Sequence, residues 1–133
     1  MPETKPRILV VDDDEDMIAS LTSFLTGSGY QVETATNGAE GFSRAKAGSP
    51  DLIILDILMG SHDGLTAFEE LRRDAQTAKI PVIMLTSVNE RLGFGFDESD
   101  MASHYGTAPE AFMRKPFQPE ALLGKIAQLL GRR

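Results

Sequence analysis

Two kinds of hydrophobic pattern alternate along the chain. Short apolar runs, Arg7 to Val11, Leu52 to Asp56 and Ile80 to Leu85, are too brief for helices and are bounded by turn formers, which predicts strands buried on both faces. Tyr30 to Ala35 alternates more strongly and reads as an edge strand. Ala111 to Lys115 is a short fifth strand closed by Pro116, and Pro81 must sit at the start of the fourth because it has no N–H to give a ladder. Between these runs the spacing becomes helical. From Met17 the stripe Met17, Leu21, Phe24 and Leu25 runs to a stop at Gly27 and Gly29, and Asn37-Gly38 opens a helix through Ala39, Phe42 and Ala45 to Gly48. Leu65, Phe68 and Leu71 mark a third helix after the loop Gly60 to Gly64, and Glu120 to Leu130 turns Leu122, Ile126, Leu129 and Leu130 inward. Strands and helices in alternation with short connections predict an α/β fold, a parallel sheet with helices on both faces.

Composition narrows the class. A chain of 133 residues fits one domain, 1–133, and 41% hydrophobic residues suit a globular core without any run long enough to cross a bilayer. The absence of cysteine excludes disulfides, thiolate metal sites and thiol catalysis. Nothing in Met1 to Pro6 resembles a signal peptide, so a cytoplasmic location and no membrane insertion are expected. A net charge of −7 disfavours direct binding to nucleic acid or anionic lipid.

The candidate chemistry collects at strand ends. Asp12 and Asp13 follow the first strand, Asp56 ends the third, Thr86 follows the fourth and Lys115 closes the fifth. In a parallel sheet these ends share one edge, where open α/β sheets place their sites. An aspartate at one strand end could merely cap the next turn; three converging carboxylates cannot be dismissed so. Two such charges about 4 Å apart repel by roughly 4 kcal/mol at an effective dielectric near 20, so the cluster calls for a cation. Hard oxygen donors without cysteine or paired histidines favour Mg²⁺. Asp14, Glu15 and Asp16 are accounted for by the positive end of the first helix. His62 and His104 read as solvated loop residues without partners that would define a site.

Val10-Val11-Asp12-Asp13, Asp51 to Asp56, Asp63-Gly64, Leu85-Thr86-Ser87 and Lys115-Pro116-Phe117, in this order, resemble the receiver domain of bacterial two-component response regulators from about Arg7 to Leu130. The resemblance implies a flavodoxin-like, doubly wound five-stranded sheet of order 2-1-3-4-5. It implies that Asp56 takes a phosphoryl group from a histidine kinase or phosphotransfer protein, and that Asp13 and Asp56 bind Mg²⁺ directly. Asp12 would act largely through water, the main-chain carbonyl of Leu58 would complete the protein ligands, and Thr86 and Lys115 would hold phosphoryl oxygens. Phe112, three residues before Lys115, matches the family's aromatic switch position; a strand aromatic packed in the core is the alternative there.

Two stretches depart from the family pattern. Gly60 stands where the family usually has proline, and the interval from Thr86 to Lys115 is several residues longer than usual, with glycines and acidic residues between Leu92 and Asp100. The helix that the family carries in this interval is therefore expected to be shortened, displaced or partly disordered, and residues 89–106 to be a region of low stability. The leading expectation is a stand-alone switch that signals through a downstream protein and is no enzyme beyond its own phosphorylation and slow dephosphorylation. A phosphorylation-independent binding module is one alternative. A Mg²⁺-dependent aspartyl-phosphate phosphatase is the other, and it usually needs a second carboxylate where this chain has Leu58.

Overall fold

The computed structural model of the chain describes residues 5–56, 64–86, 110–114 and 118–130. Five strands, β1 (Arg7–Val11), β2 (Gln31–Ala35), β3 (Leu52–Asp56), β4 (Val82–Thr86) and β5 (Ala111–Arg114), form one parallel sheet of order β2-β1-β3-β4-β5. Among the described residues four helices accompany them: α1 (Glu15–Gly27), α2 (Gly38–Gly48), α3 (Gly64–Arg73) and α4 (Pro119–Leu129). The flavodoxin-like order and the edge position of β2 agree with the expectation.

Strand alternation divides the core in two. Leu9, Val11, Ile53, Leu55, Val82 and Met84 face α2 and α3, where Ala45, Ala67, Phe68 and Leu71 cover them. Ile8, Val10, Leu52, Ile54, Ile83 and Leu85 face α1 and α4 and pack on Leu21, Leu25, Leu122 and Ile126. Because successive strand side chains point to opposite faces, a continuous apolar run is what a sheet covered on both sides demands. Every residue of β3 is buried.

Boundaries differ from the periodicity in small ways, three of them with a local cause. Helix α1 begins at Glu15, ahead of the apolar stripe, because the Asp14 carboxylate caps it by accepting from the N–H groups of Asp16 and Met17. Strand β4 begins at Val82, not Ile80: the Pro81 carbonyl still accepts from Ile53 at 2.9 Å, but the ladder proper starts after the proline. Helix α4 starts one residue early, with Pro119 in its first turn, the position that tolerates a missing N–H, and Leu130 is its cap. Strand β2 starts at Gln31, one residue late, and β5 is described to Arg114. The predicted atypical segment, residues 89–106, lies outside the described residues, as do Gly60, His62 and His104.

Candidate functional site

The register of the sheet brings the acidic residues together. Val11 pairs with Leu55, so the next residues on these adjacent strands, Asp12 and Asp56, leave the sheet side by side. Both have the parity of Val10 and Ile54, the side covered by α1. Asp12 is held on its other flank by its N–H, which donates to the Ala35 carbonyl at the end of β2 at 3.0 Å. Its Oδ1 accepts from the Asp14 N–H at 3.0 Å, which bends the chain from β1 into the capped start of α1. The same carboxylate thus belongs to the cluster and shapes the turn behind it.

Asp12 is 1% exposed and Asp56 4%, and they are the two buried ionisable side chains among the described residues. The third buried polar residue, Thr77, has a purely structural account, since its hydroxyl donates to the Leu71 carbonyl at 2.6 Å. Asp13 is exposed and completes the group: one carboxylate oxygen from each of Asp12, Asp13 and Asp56 lies within 4.8 Å of the others. Like charges at that separation oppose one another by about 3–4 kcal/mol per pair at an effective dielectric near 20. Removing two of them from water raises the cost further unless a positive charge shares the site. The exposed third carboxylate, Asp13, leaves the cluster open to solvent.

Asp56 pairs with Leu85, so the main chain of Thr86 stands one step further along β4 at the same edge. Phe112 pairs with Met84 and is partly buried against the α2–α3 side of the core. Leu58, Lys115 and the loop Gly60 to Asp63 lie outside the described residues. Asp14 and Asp16, in the same acidic run, are exposed and serve the start of α1, as their position at a helix N-terminus suggests.

Helix α2 starts at Asn37-Gly38 as the sequence predicts, after the end of β2, but the bonding of Glu40 there was not read from the sequence. Asn37 Oδ1 accepts from the Glu40 N–H at 2.8 Å, while Glu40 Oε1 accepts from the N–H and hydroxyl of Thr36 at 3.0 and 3.2 Å. A cap residue followed three positions later by glutamate was the available signal. The bonds from Thr36, with Arg44 Nε 3.1 Å from Glu40 Oε2, hold the Glu40 carboxyl below its ordinary value, the Thr36 N–H being the largest cause.

Comparison with known proteins agrees with this architecture. Residues 8–127 match the response regulator receiver domain family. The chain is 34% identical over 124 residues to Protein PilH of Pseudomonas aeruginosa, covering 93% of this chain and 97% of PilH. It is 35% identical over 127 residues to the DNA-binding dual master transcriptional regulator RpaA of Synechocystis sp., covering 96% of this chain and 50% of RpaA. The chain thus spans about half the length of RpaA, and likewise of PhoP of Bacillus subtilis. Among solved structures, the chemotaxis protein CheY4 of Vibrio cholerae superposes with a TM-score of 0.81 at 27% identity, over 95% of this chain and 99% of that one. A CheY-like response regulator receiver domain protein of Methanospirillum hungatei gives a TM-score of 0.81 at 26% identity, over 97% and 96%. With its sheet order, its acidic edge and this match over most of its length, the chain belongs to the response regulator receiver domain family of two-component systems.

Proposed function

We propose that the chain is a phosphorylation-dependent switch in which Asp56 accepts a phosphoryl group from a histidine kinase or histidine phosphotransfer protein, with Mg²⁺ bound at the acidic edge. The observation that carries this reading is the convergence of Asp12, Asp13 and Asp56 at the ends of adjacent strands, two buried and one exposed. A donor set made only of carboxylate oxygens fits a hard divalent cation. Asp13, Asp56 and the Leu58 carbonyl would hold it directly, and Asp12 largely through water. When bound, the ion neutralises the carboxylates and the charge on the phosphoryl oxygens.

The chain's own part follows from position. The Asp56 carboxylate attacks phosphorus in line, the bond from phosphorus to the donor nitrogen breaks with its electron pair left on nitrogen, and an aspartyl phosphate remains. Thr86 and Lys115 would hold phosphoryl oxygens, the first by its place one step beyond the Asp56–Leu85 pair. Phe112, half-buried on β5, is suited to answer a movement at Thr86 by changing its packing, which a downstream protein would read. The reading is of a single receiver over 1–133, cytoplasmic, and without catalysis on other substrates. Among the described residues no helix is long and apolar enough to cross a membrane.

The test is metal dependence of labelling. With acetyl phosphate and Mg²⁺ the intact mass should rise by one phosphoryl group, and with EDTA in place of Mg²⁺ it should not change. Equal labelling in EDTA would refute the metal's part.

A further inference from the structure

Strand β5 is a four-residue edge strand entered after residues 87–109, so little in its own length fixes its register on β4. A register error of one residue turns every side chain to the opposite face and moves each position by about 3.3 Å along the strand. The structure holds the register from the amino end. The Glu110 N–H donates to the Val82 carbonyl at 3.0 Å, and Glu110 Oε1 accepts from the Val82 N–H at 2.8 Å, so one residue engages both main-chain groups of the first residue of β4.

The same Oε1 accepts from Arg72 Nη2 at 2.8 Å. Arg72 is itself fixed. Its Nη1 donates to the carbonyls of Ala78 at 3.2 Å and Ile80 at 3.1 Å, its guanidinium lies 4.8 Å from the centroid of the buried Phe68 ring, and its side chain is only 11% exposed. The last turn of α3, the turn into β4 and the entry to β5 are joined through this one ion pair. Charge-assisted bonds of this kind are short and directional, and the planar guanidinium serves several acceptors at once.

We infer that Arg72 and Glu110 are positioning residues for phosphoryl transfer: by locking β5 at the amino edge of the sheet they set where Phe112 and Arg114 stand relative to the carboxyl edge. This role rests on the function proposed above. The observed register already gives its content, with Ala111 opposite Ile83, Phe112 opposite Met84 and Arg114 opposite Thr86. A slip of one residue would send Phe112 to the α4 side of the sheet and take Arg114 from its place opposite Thr86.

The experiment compares Glu110→Ala, Arg72→Ala, the double variant and Glu110→Gln with the parent chain. Arg7→Ala, which breaks the Arg7–Glu33 pair at the far side of the sheet, is the control for a loss of stability alone. The first readout is the initial rate of labelling by acetyl phosphate with Mg²⁺, at a temperature where every variant is folded. Both alanine variants should label about tenfold more slowly, and the double variant should be no slower than either. Glu110→Gln, which keeps an acceptor for the Val82 N–H, should recover most of the rate, and Arg7→Ala should label as the parent does. The second readout is amide exchange without phosphate, where Glu110→Ala should speed exchange at Val82 and through β5 but not in β1 or β2. Alanine variants that label at the parental rate, or a Val82 amide equally protected in Glu110→Ala, would overturn the lock. A parent chain that takes no phosphoryl group would instead refute the function beneath it, and the exchange readout then decides the lock by itself.

Discussion

Gly41 lies so close to Val11 that a Cβ at position 41 would sit 2.9 Å from both Val11 methyl groups. Helix α2 is therefore seated directly on β1 one residue before Asp12, and glycine is the residue that allows it. Elsewhere in a helix, glycine is a net loss relative to alanine.

The two situations predict opposite signs. Gly41→Ala should destabilise the chain by about 1–3 kcal/mol, because overpacking against a buried β-branched residue outweighs the gain in helix propensity. Gly124→Ala in α4, where a Cβ meets nothing within 4 Å, should stabilise by up to about 1 kcal/mol. Urea unfolding of the two variants beside the parent checks both signs; a stabilising Gly41→Ala would mean that α2 moves away freely.

A second prediction concerns pH. The Glu40 carboxyl is held below its ordinary value near 4.5 by the Thr36 N–H and then by Arg44. A depressed carboxyl contributes stability above its unfolded pKa and loses that contribution as pH falls through its folded value. Glu40→Gln should thus cost about 0.5 kcal/mol at pH 7, small because the group is largely solvated, and the gap should close as pH drops below 4.5. Unfolding curves at pH 7 and at pH 3 compare the two; a gap unchanged at low pH would remove the ionic part of the account.

A third prediction separates the metal ligands from their acidic neighbours. Mg²⁺ should raise the Tm of the parent, since the unfolded chain has no assembled site. Asp13→Ala should lose most of that rise, whereas Asp16→Ala, which alters only the exposed start of α1, should keep it. Thermal scans over a Mg²⁺ series measure this directly, and identical responses from both variants would contradict the ligand assignment.

The strands were legible in the sequence because a sheet covered on both sides needs continuous apolar runs, and the run Leu52 to Asp56 coincides with β3 at both ends. The acidic edge was legible because parallel strands share the direction in which they end, so Asp12, Asp13 and Asp56 had to converge once the alternation of elements was seen. What escaped were contacts with no local signature. Arg72 stands four residues after Phe68, a spacing that hinted at its stacking, but Glu110 meets it from 38 positions away and nothing in Pro109-Glu110-Ala111 signals that. The tight seat of Gly41 on Val11 depends on the height of α2 above the sheet, which periodicity does not encode. Capping likewise moved the start of α1 ahead of its apolar stripe, since a cap acts on main-chain donors and not on the buried face.

The central claim is that Asp56 is the phosphoacceptor, and intact mass spectrometry after incubation with Mg²⁺ and acetyl phosphate tests it most directly. The parent should gain one phosphoryl group and Asp56→Asn none, with unfolding of Asp56→Asn remaining cooperative to show that the fold persists. Equal labelling of the two proteins would contradict the claim.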